Sequence, residues 1–423
     1  MKKQALAKSA EGLFIKNSRF KTTLISFNFY LPLRKETVAE YALLPFILTT
    51  CSEKYPEFSK LNYKLNKLYG ARLDASSEKF GDYQLLKMSI SVINDRFALD
   101  DESLVKRASE LLLGLTFEPS VENGSFLKDD LEREKRKCIE HIKGEYSEKR
   151  IYAKKRLIEE MFKDDYYGIP KCGEIKDVEN VTGESLYKAW RRMLETAFFR
   201  VNVVGATVPS GLFEGISEKF NTIDRQQAIE VGGSAPAKAG EKINTVTEKQ
   251  PVSQGKLVMG FSSEMYGNDE QSLPLLIMGD LFGGGPYSRL FSNVREKLSL
   301  CYYCSASTVR QKGLLTVESG VEEKNAQKAQ KEILNQLEII KNGEFEDSLL
   351  EYSIKSVCDS FKTFEDSLTS LDTWYALKIC NDELYTPEEL GQKVSEISRE
   401  DVIRAANGVK LHTVYKLLPL EAK

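Results

Sequence analysis

The residue types best able to do chemistry in this 423-residue chain gather in one string, Gly283 to Tyr303, GGGPYSRLFSNVREKLSLCYY. Gly283, Gly284 and Gly285 end an apolar helical run, and Pro286-Tyr287-Ser288 turns the chain. A short amphipathic helix follows, with Leu290, Phe291 and Val294 on one side. Arg295 lies on that helix, and Tyr302 follows seven residues later, where the pattern changes to strand. A glycine loop lets a foreign backbone approach closely, because no Cβ stands in the way. A tyrosine O–H can donate to a developing oxyanion, and the fork of an arginine can hold a carbonyl or carboxylate in register.

Other reactive residues are sparse. The chain holds two histidines, His141 and His412. His412 opens a terminal strand and is expected to pack there. His141 sits with Glu134 and Glu140 in a strongly charged helical stretch. Its ordinary reading is a solvated helix face laced with i,i+4 pairs; the sharper reading is a non-standard metal site built from Glu134, Glu140 and His141. Cys301 and Cys304 form a C-x-x-C, but on a strand-like segment rather than at a helix start, where a dipole would lower a thiol pKa. They read as two half-buried thiols, and no second pair exists to complete a structural zinc site. There is no G-x-S-x-G elbow, and the glycines are not followed by G-K-[ST], so neither a serine hydrolase nor a phosphate cradle is indicated.

Composition sets outer limits. The chain is 41% hydrophobic and 29% charged with a formal net charge of -3, so no electrostatic feature points to nucleic acid or an anionic membrane. No run approaches the length of a membrane span, and the N-terminus lacks an apolar signal core. The seven cysteines are scattered and do not look like a disulfide framework. A cytoplasmic protein is expected.

Elements must position the reactive string, and they occur twice. In the first half, Ile25, Phe27, Phe29 and Leu31 alternate with polar residues as a strand. A helical run from about Thr37 to Thr50 follows, then a helix with Leu61, Leu65 and Leu68 that Gly70 ends. A strand pair over Arg72–Ser76 and Leu86–Val92 leads to an amphipathic helix from about Glu102 to Leu115. At an offset of about 230 residues the order recurs: a strand at Leu257–Phe261, a helix at Leu273–Phe282, a strand at Leu315–Ser319 and a helix at Ala326–Leu337. Long charged helical regions, Phe126–Met161 and Glu346–Leu371, precede a last strand in each half, Phe199–Val204 and Thr413–Leu417. The expected fold is α+β: two duplicated domains, each a mainly antiparallel sheet with helices on one face. Their expected bounds are 1–231 and 251–423, joined by a linker at 232–250 that holds Gly232-Gly233-Ser234-Ala235-Pro236.

The combined string resembles the pitrilysin/insulinase family of zinc peptidases, in the half-size branch that includes the mitochondrial processing peptidase. The likeness rests on Gly283 to Gly285, Ser288-Arg289-Leu290-Phe291, Arg295-Glu296-Lys297 and Tyr302. The resemblance implies an H-x-x-E-H zinc motif on the first long helix and a third, acidic ligand on a later one. Between Tyr41 and Ser52 this chain reads YALLPFILTTCS, with no histidine or carboxylate, so no metal or other cofactor is expected here and zinc is expected only in a partner chain. The family likeness further implies that Arg295, Tyr302 and the three glycines face substrate. The leading expectation is a catalytically silent subunit that binds peptide and completes the site of a homologous zinc-bearing peptidase subunit, or pairs with itself as a homodimer. A non-enzymatic peptide-binding or structural protein is the alternative, and a peptidase with a non-standard zinc site a further one.

Overall fold

The alternation in Ile25, Phe27, Phe29 and Leu31 gives one strand a continuous apolar face, and a sheet is built outward from it. The computed structural model describes residues 1–237, 242–267, 269–380 and 383–420. The first half runs β1 (Lys2–Ala7), β2 (Ala10–Lys16), β3 (Thr22–Pro32), α1 (Val38–Leu48), α2 (Phe58–Lys67), β4 (Arg72–Phe80) and β5 (Tyr83–Ile93). It continues with α3 (Leu104–Phe117), the short β6 (Val121–Glu122) and β7 (Ser125–Phe126), α4 (Lys128–Ser147) and α5 (Lys149–Met161). Then come α6 (Ile175–Glu179), α7 (Gly183–Thr196), β8 (Phe198–Gly205) and α8 (Leu212–Asn221). The second half runs β9 (Asn244–Gln250), β10 (Gly255–Ser263), α9 (Asp269–Gly283), a helix of π pitch at Leu290–Lys297, β11 (Cys301–Val309) and β12 (Leu314–Val321). It ends with α10 (Glu323–Lys341), α11 (Asp347–Thr363), α12 (Leu368–Ala376), α13 (Pro387–Ser395), α14 (Arg399–Asn407) and β13 (Val409–Pro419).

The duplication is visible in the sheets. One has the order β1-β2-β8-β3-β5-β4, the other β9-β13-β10-β12-β11. Without β1 the two orders correspond strand for strand, including one parallel pair each, β2 with β8 and β9 with β13. Every other pairing is antiparallel. The helix that follows the central strand carries an internal proline in each repeat, Pro45 in α1 and Pro274 in α9. Residues 244–250, read from sequence as part of a linker, form the edge strand β9, whose polar residues and exposed alternate side chains hid it. Residues 238–241 of that stretch lie outside the described residues.

The chain condenses into two units, each drawing on both halves. One comprises Met1–Lys143, Ile169–Gly232 and Glu365–Ile379; the other comprises Gly144–Gly168, Gly233–Phe364 and Cys380–Lys423. In the first unit Phe27, Phe29, Met88 and Val201 pack against residues of α1, α3 and α7 to form the core. The opposite sheet face carries buried polar residues under α12. Asp372, fully buried, accepts from Ser26 Oγ at 2.6 Å and Asn202 Nδ2 at 2.8 Å and pairs with the Lys87 ammonium. Arg200 donates to Glu11 at 2.6 Å and to the Tyr375 carbonyl at 3.1 Å.

In the second unit α5 plays the matching part. Ala153 and Leu157 pack on Val258, Tyr415 and Leu417, while Arg150 and Lys154 each reach Glu318 at 2.8 Å. Gly260 is the floor on which α5 rests. A Cβ there would lie 2.7 Å from Met161 Sδ and 3.2 Å from Leu157 Cδ2. Gly260→Val is therefore expected to cost about 1–3 kcal/mol by overpacking, read as a lower urea midpoint; an unchanged midpoint would mean α5 does not bear on this face. Among the described residues no helix is long and apolar enough to cross a membrane, and all seven cysteines are free thiols.

Candidate functional site

The glycine string sits in the second unit where α9 meets β11. None of the three glycines lies in the left-handed region. A Cβ on Gly283 would lie 2.4 Å from the Ala306 backbone nitrogen, and one on Gly284 would lie 2.3 Å from Asp280 Oδ2. A Cβ on Gly285 would lie 2.7 Å from the Tyr287 ring. The absence of side chains thus has internal causes: the close approach of α9 to β11 at Gly283, and of the chain to Asp280 and Tyr287 at Gly284 and Gly285.

The following helix is wide in pitch. The Leu298 N–H reaches back five residues to the Asn293 carbonyl at 3.1 Å, a geometry that recurs at functional positions in helices. Leu290 and Val294 are buried. Arg295 is partly exposed, its guanidinium 4.5 Å from the Phe291 ring centroid and 3.6 Å from the Glu296 carboxylate. On β11, Cys301 pairs with Val321 but Tyr303 pairs with Gly320, so Tyr302 occupies a β-bulge. A bulge re-aims a side chain, and Tyr302 is 61% exposed on this edge strand. Its hydroxyl hydrogen-bonds the Glu322 carboxylate, which pairs with Lys324 at 2.9 Å. Arg295 and Tyr302 are each held by their own neighbours, and among the described residues no hydrogen bond joins them.

The bulge has a second effect: it turns Cys301 and Cys304 toward the same buried side. The two thiols hydrogen-bond each other, which lowers the Cys301 pKa, with further help from Ser319 and Arg295, and raises that of Cys304. The fully buried Ser319 hydroxyl sits beside both.

Beneath the glycines, Tyr287 donates its hydroxyl to Asp280 at 2.5 Å. Burial raises the Asp280 carboxyl above its ordinary range, only partly opposed by hydroxyl donors, and pushes Tyr287 up to about 12. A carboxyl whose folded pKa is raised contributes stability that is complete below its unfolded value and lost as pH rises through the folded one. Asp280→Asn, which keeps an acceptor for Tyr287, should therefore leave stability unchanged near pH 3 and raise it at pH 7. Urea midpoints at the two pH values check this, and a variant destabilised at pH 7 would contradict it.

In the first unit a cavity of about 500 Å³ lies among α1, β4 and α4. Ala42 and Phe46, four residues apart on α1, both line it, with Pro45 between them in the helix. This is the spacing at which an H-x-x-E-H motif would place its two imidazoles and its glutamate; here those positions carry no donor atom. Glu134, buried, lines the same cavity, and its carboxylate takes Lys137 Nζ at 2.8 Å and Arg133 Nε at 3.2 Å. An ammonium therefore neutralises the charge that a divalent cation would otherwise meet. His141 lies on the cavity wall two helical turns further on, while Glu140 is exposed and is not part of the lining. Among the described residues no three His, Cys, Asp or Glu side chains stand close enough to hold a metal ion. The residues present do not fit zinc. His412 bonds the Thr413 hydroxyl at 2.7 Å within β13.

The sequence pointed to Arg295, Tyr302 and the glycines but not to the bulge, to the Asp280–Tyr287 bond or to Lys137. The i,i+3 spacing of Cys301 and Cys304, both buried on one strand, was the available sign of the bulge.

Residues 180–357 match the family described as Peptidase M16 inactive domain. Over 412 residues the chain is 31% identical to the "Probable inactive metalloprotease YmfF" of Bacillus subtilis strain 168, covering 95% of this chain and 94% of that one. It is 21% identical to an "Uncharacterized zinc protease" of Rickettsia bellii, over 68% of this chain and 69% of that protein. Among solved structures, a conserved protein from Enterococcus faecalis V583 superposes with a TM-score of 0.92 at 24% identity, covering 100% of this chain and 99% of that one. A peptidase M16 inactive domain from Pseudomonas fluorescens gives 0.78 at 16% identity, covering 100% and 99%. These two share the fold. Length-wide identity to the Bacillus protein, together with the repeated sheet and the vacant motif positions on α1, assigns the chain to the M16 peptidases, the pitrilysin/insulinase family, as a member without the H-x-x-E-H motif.

Proposed function

We propose that this chain is a catalytically silent subunit that binds peptide and completes the active site of a homologous zinc-bearing partner. Arg295 and Tyr302, beside Gly283, Gly284 and Gly285, are its contribution. The observation that carries the reading is the bulge: Tyr302 is turned outward from an edge strand in a chain whose own front cavity has lost its metal ligands. A bulge re-aims a side chain, and an outward O–H suits an oxyanion formed elsewhere. In this reading the protein works in the cytoplasm, and its partner is a zinc-bearing homologue rather than a second copy.

The test is to mix the purified chain with a zinc-bearing M16 homologue from the same cell and follow cleavage of a fluorogenic peptide. Co-elution and a rate at least tenfold above that of the homologue alone are expected. Absence of a complex, or an unchanged rate, would reject the shared site. A second reading, a non-enzymatic peptide binder, is favoured by one feature: β4 is an open sheet edge beside the 500 Å³ cavity, suited to strand addition. Peptide binding by the isolated chain, with no effect on any partner's rate, would support that reading instead.

A further inference from the structure

The second unit holds another cavity, of about 610 Å³, between the wide-pitch helix, the loop joining α10 to α11, and the start of α11. Its size falls within the usual range of small-ligand sites, about 300–1,000 Å³. Arg289 and Arg399 both line it, and they differ in one respect. Arg399 is fully engaged: it pairs with Asp347, donates to the Gly343 and Phe345 carbonyls, and stacks 4.2 Å over the Phe345 ring.

Arg289 is held but not neutralised. Its Nε donates to Gln336 Oε1 at 2.8 Å, and the buried Gln336 donates in turn to Glu332 at 2.6 Å. Those two bonds fix the plane of the guanidinium. Among the described residues its Nη atoms have no hydrogen-bond partner and no carboxylate lies within ion-pairing distance. Desolvation lowers its pKa, and Glu332 and Glu344 offset this only in part. A guanidinium positioned by a neutral amide, with its fork open to a cavity, is arranged for an external oxyanion.

The rest of the lining narrows the ligand. Glu344 and Glu346 are exposed on the rim, which disfavours a multiply charged anion such as phosphate and suits a cationic group beside the carboxylate. Tyr287 and Tyr352, with ring centroids 6.0 Å apart, offer a wall for an apolar side chain. We propose that this cavity binds a small zwitterion, a free amino acid or dipeptide, with its carboxylate on the Nη edge of Arg289 and its ammonium toward Glu344. Tyr287 also holds Asp280 under the glycine string, so an occupied cavity would bear directly on that loop.

Calorimetric titration of the full chain tests this with four probes: phenylalanine, the dipeptide Leu-Phe, Leu-Phe amide and inorganic phosphate. One saturable site for phenylalanine or Leu-Phe is expected, with amidation of the carboxylate weakening binding at least tenfold. Arg289→Gln should weaken it by a similar factor, and Tyr352→Ala, at an exposed rim position, by a few fold. Absence of saturable binding, equal binding of Leu-Phe and its amide, or tighter binding of phosphate would overturn the proposal. Should Arg289→Gln fail to fold, the amide comparison and Tyr352→Ala decide the matter.

Discussion

Asp372→Ala is expected to lower the unfolding free energy of the first unit by about 3–5 kcal/mol, the usual cost of stranding a buried charge. Asp372 is fully buried and is the common partner of Ser26, Asn202 and Lys87. Alanine would leave an ammonium, an amide and a hydroxyl under α12 without an acceptor. Loss of stability follows mainly from those stranded groups rather than from the pair's own worth. Asp372→Asn, which keeps an acceptor but removes the negative charge that pairs with Lys87, should fall between. The measurement is a urea midpoint followed by a probe in the first unit. A shift below about 1 kcal/mol for alanine, the level of an exposed pair, would show that water reaches the site.

The second large effect concerns function. In an assembly with a zinc-bearing homologue, Tyr302→Phe in this chain is expected to reduce kcat by about 10²–10³, as removal of one oxyanion donor does elsewhere. The KM should change little, because the O–H is called on chiefly in the transition state. Arg295→Ala should instead act mainly on KM, since a guanidinium that holds a substrate carbonyl contributes to ground and transition states alike. Neither change touches a buried atom: Tyr302 is exposed, and Arg295 contacts Phe291 and Glu296 at the surface. Folding should therefore be unaffected, and a circular dichroism melt provides that control. Unchanged kinetics in both variants would remove these residues from the site.

The sequence carried the repeated element order and the α+β class, because strands such as β3 and β10 and helices such as α3 and α10 have clean periods of 2 and 3.6. It did not show β1 and β2. On β1, Lys2, Lys3 and Gln4 are exposed on an edge, where burial leaves no pattern, and β2 is buried on both faces, which removes the alternation. Nor did it divide the charged run Phe126–Met161, which breaks at Glu148, where the side chain accepts from the Arg150 N–H at 3.1 Å. The boundary between the two units falls within α4, after Lys143, so the end of α4 and all of α5 belong to the second unit, and no local signal encodes that exchange. For the site, residue types were legible and orientation was not. Tyr302 was visible as a phenol, but its outward direction depends on the register between β11 and β12, a property of two strands. The substitution of Lys137 for a metal's charge likewise depends on its contact with Glu134, three residues away on a helix whose many charges look alike.

Metal content decides whether this chain has a hydrolytic metal site of its own. The purified chain would be saturated with zinc, desalted, analysed for bound metal and assayed alone on a fluorogenic peptide. Substoichiometric zinc and no cleavage are expected. One tightly held zinc per chain, with peptide cleavage that Glu134→Gln abolishes, would contradict it.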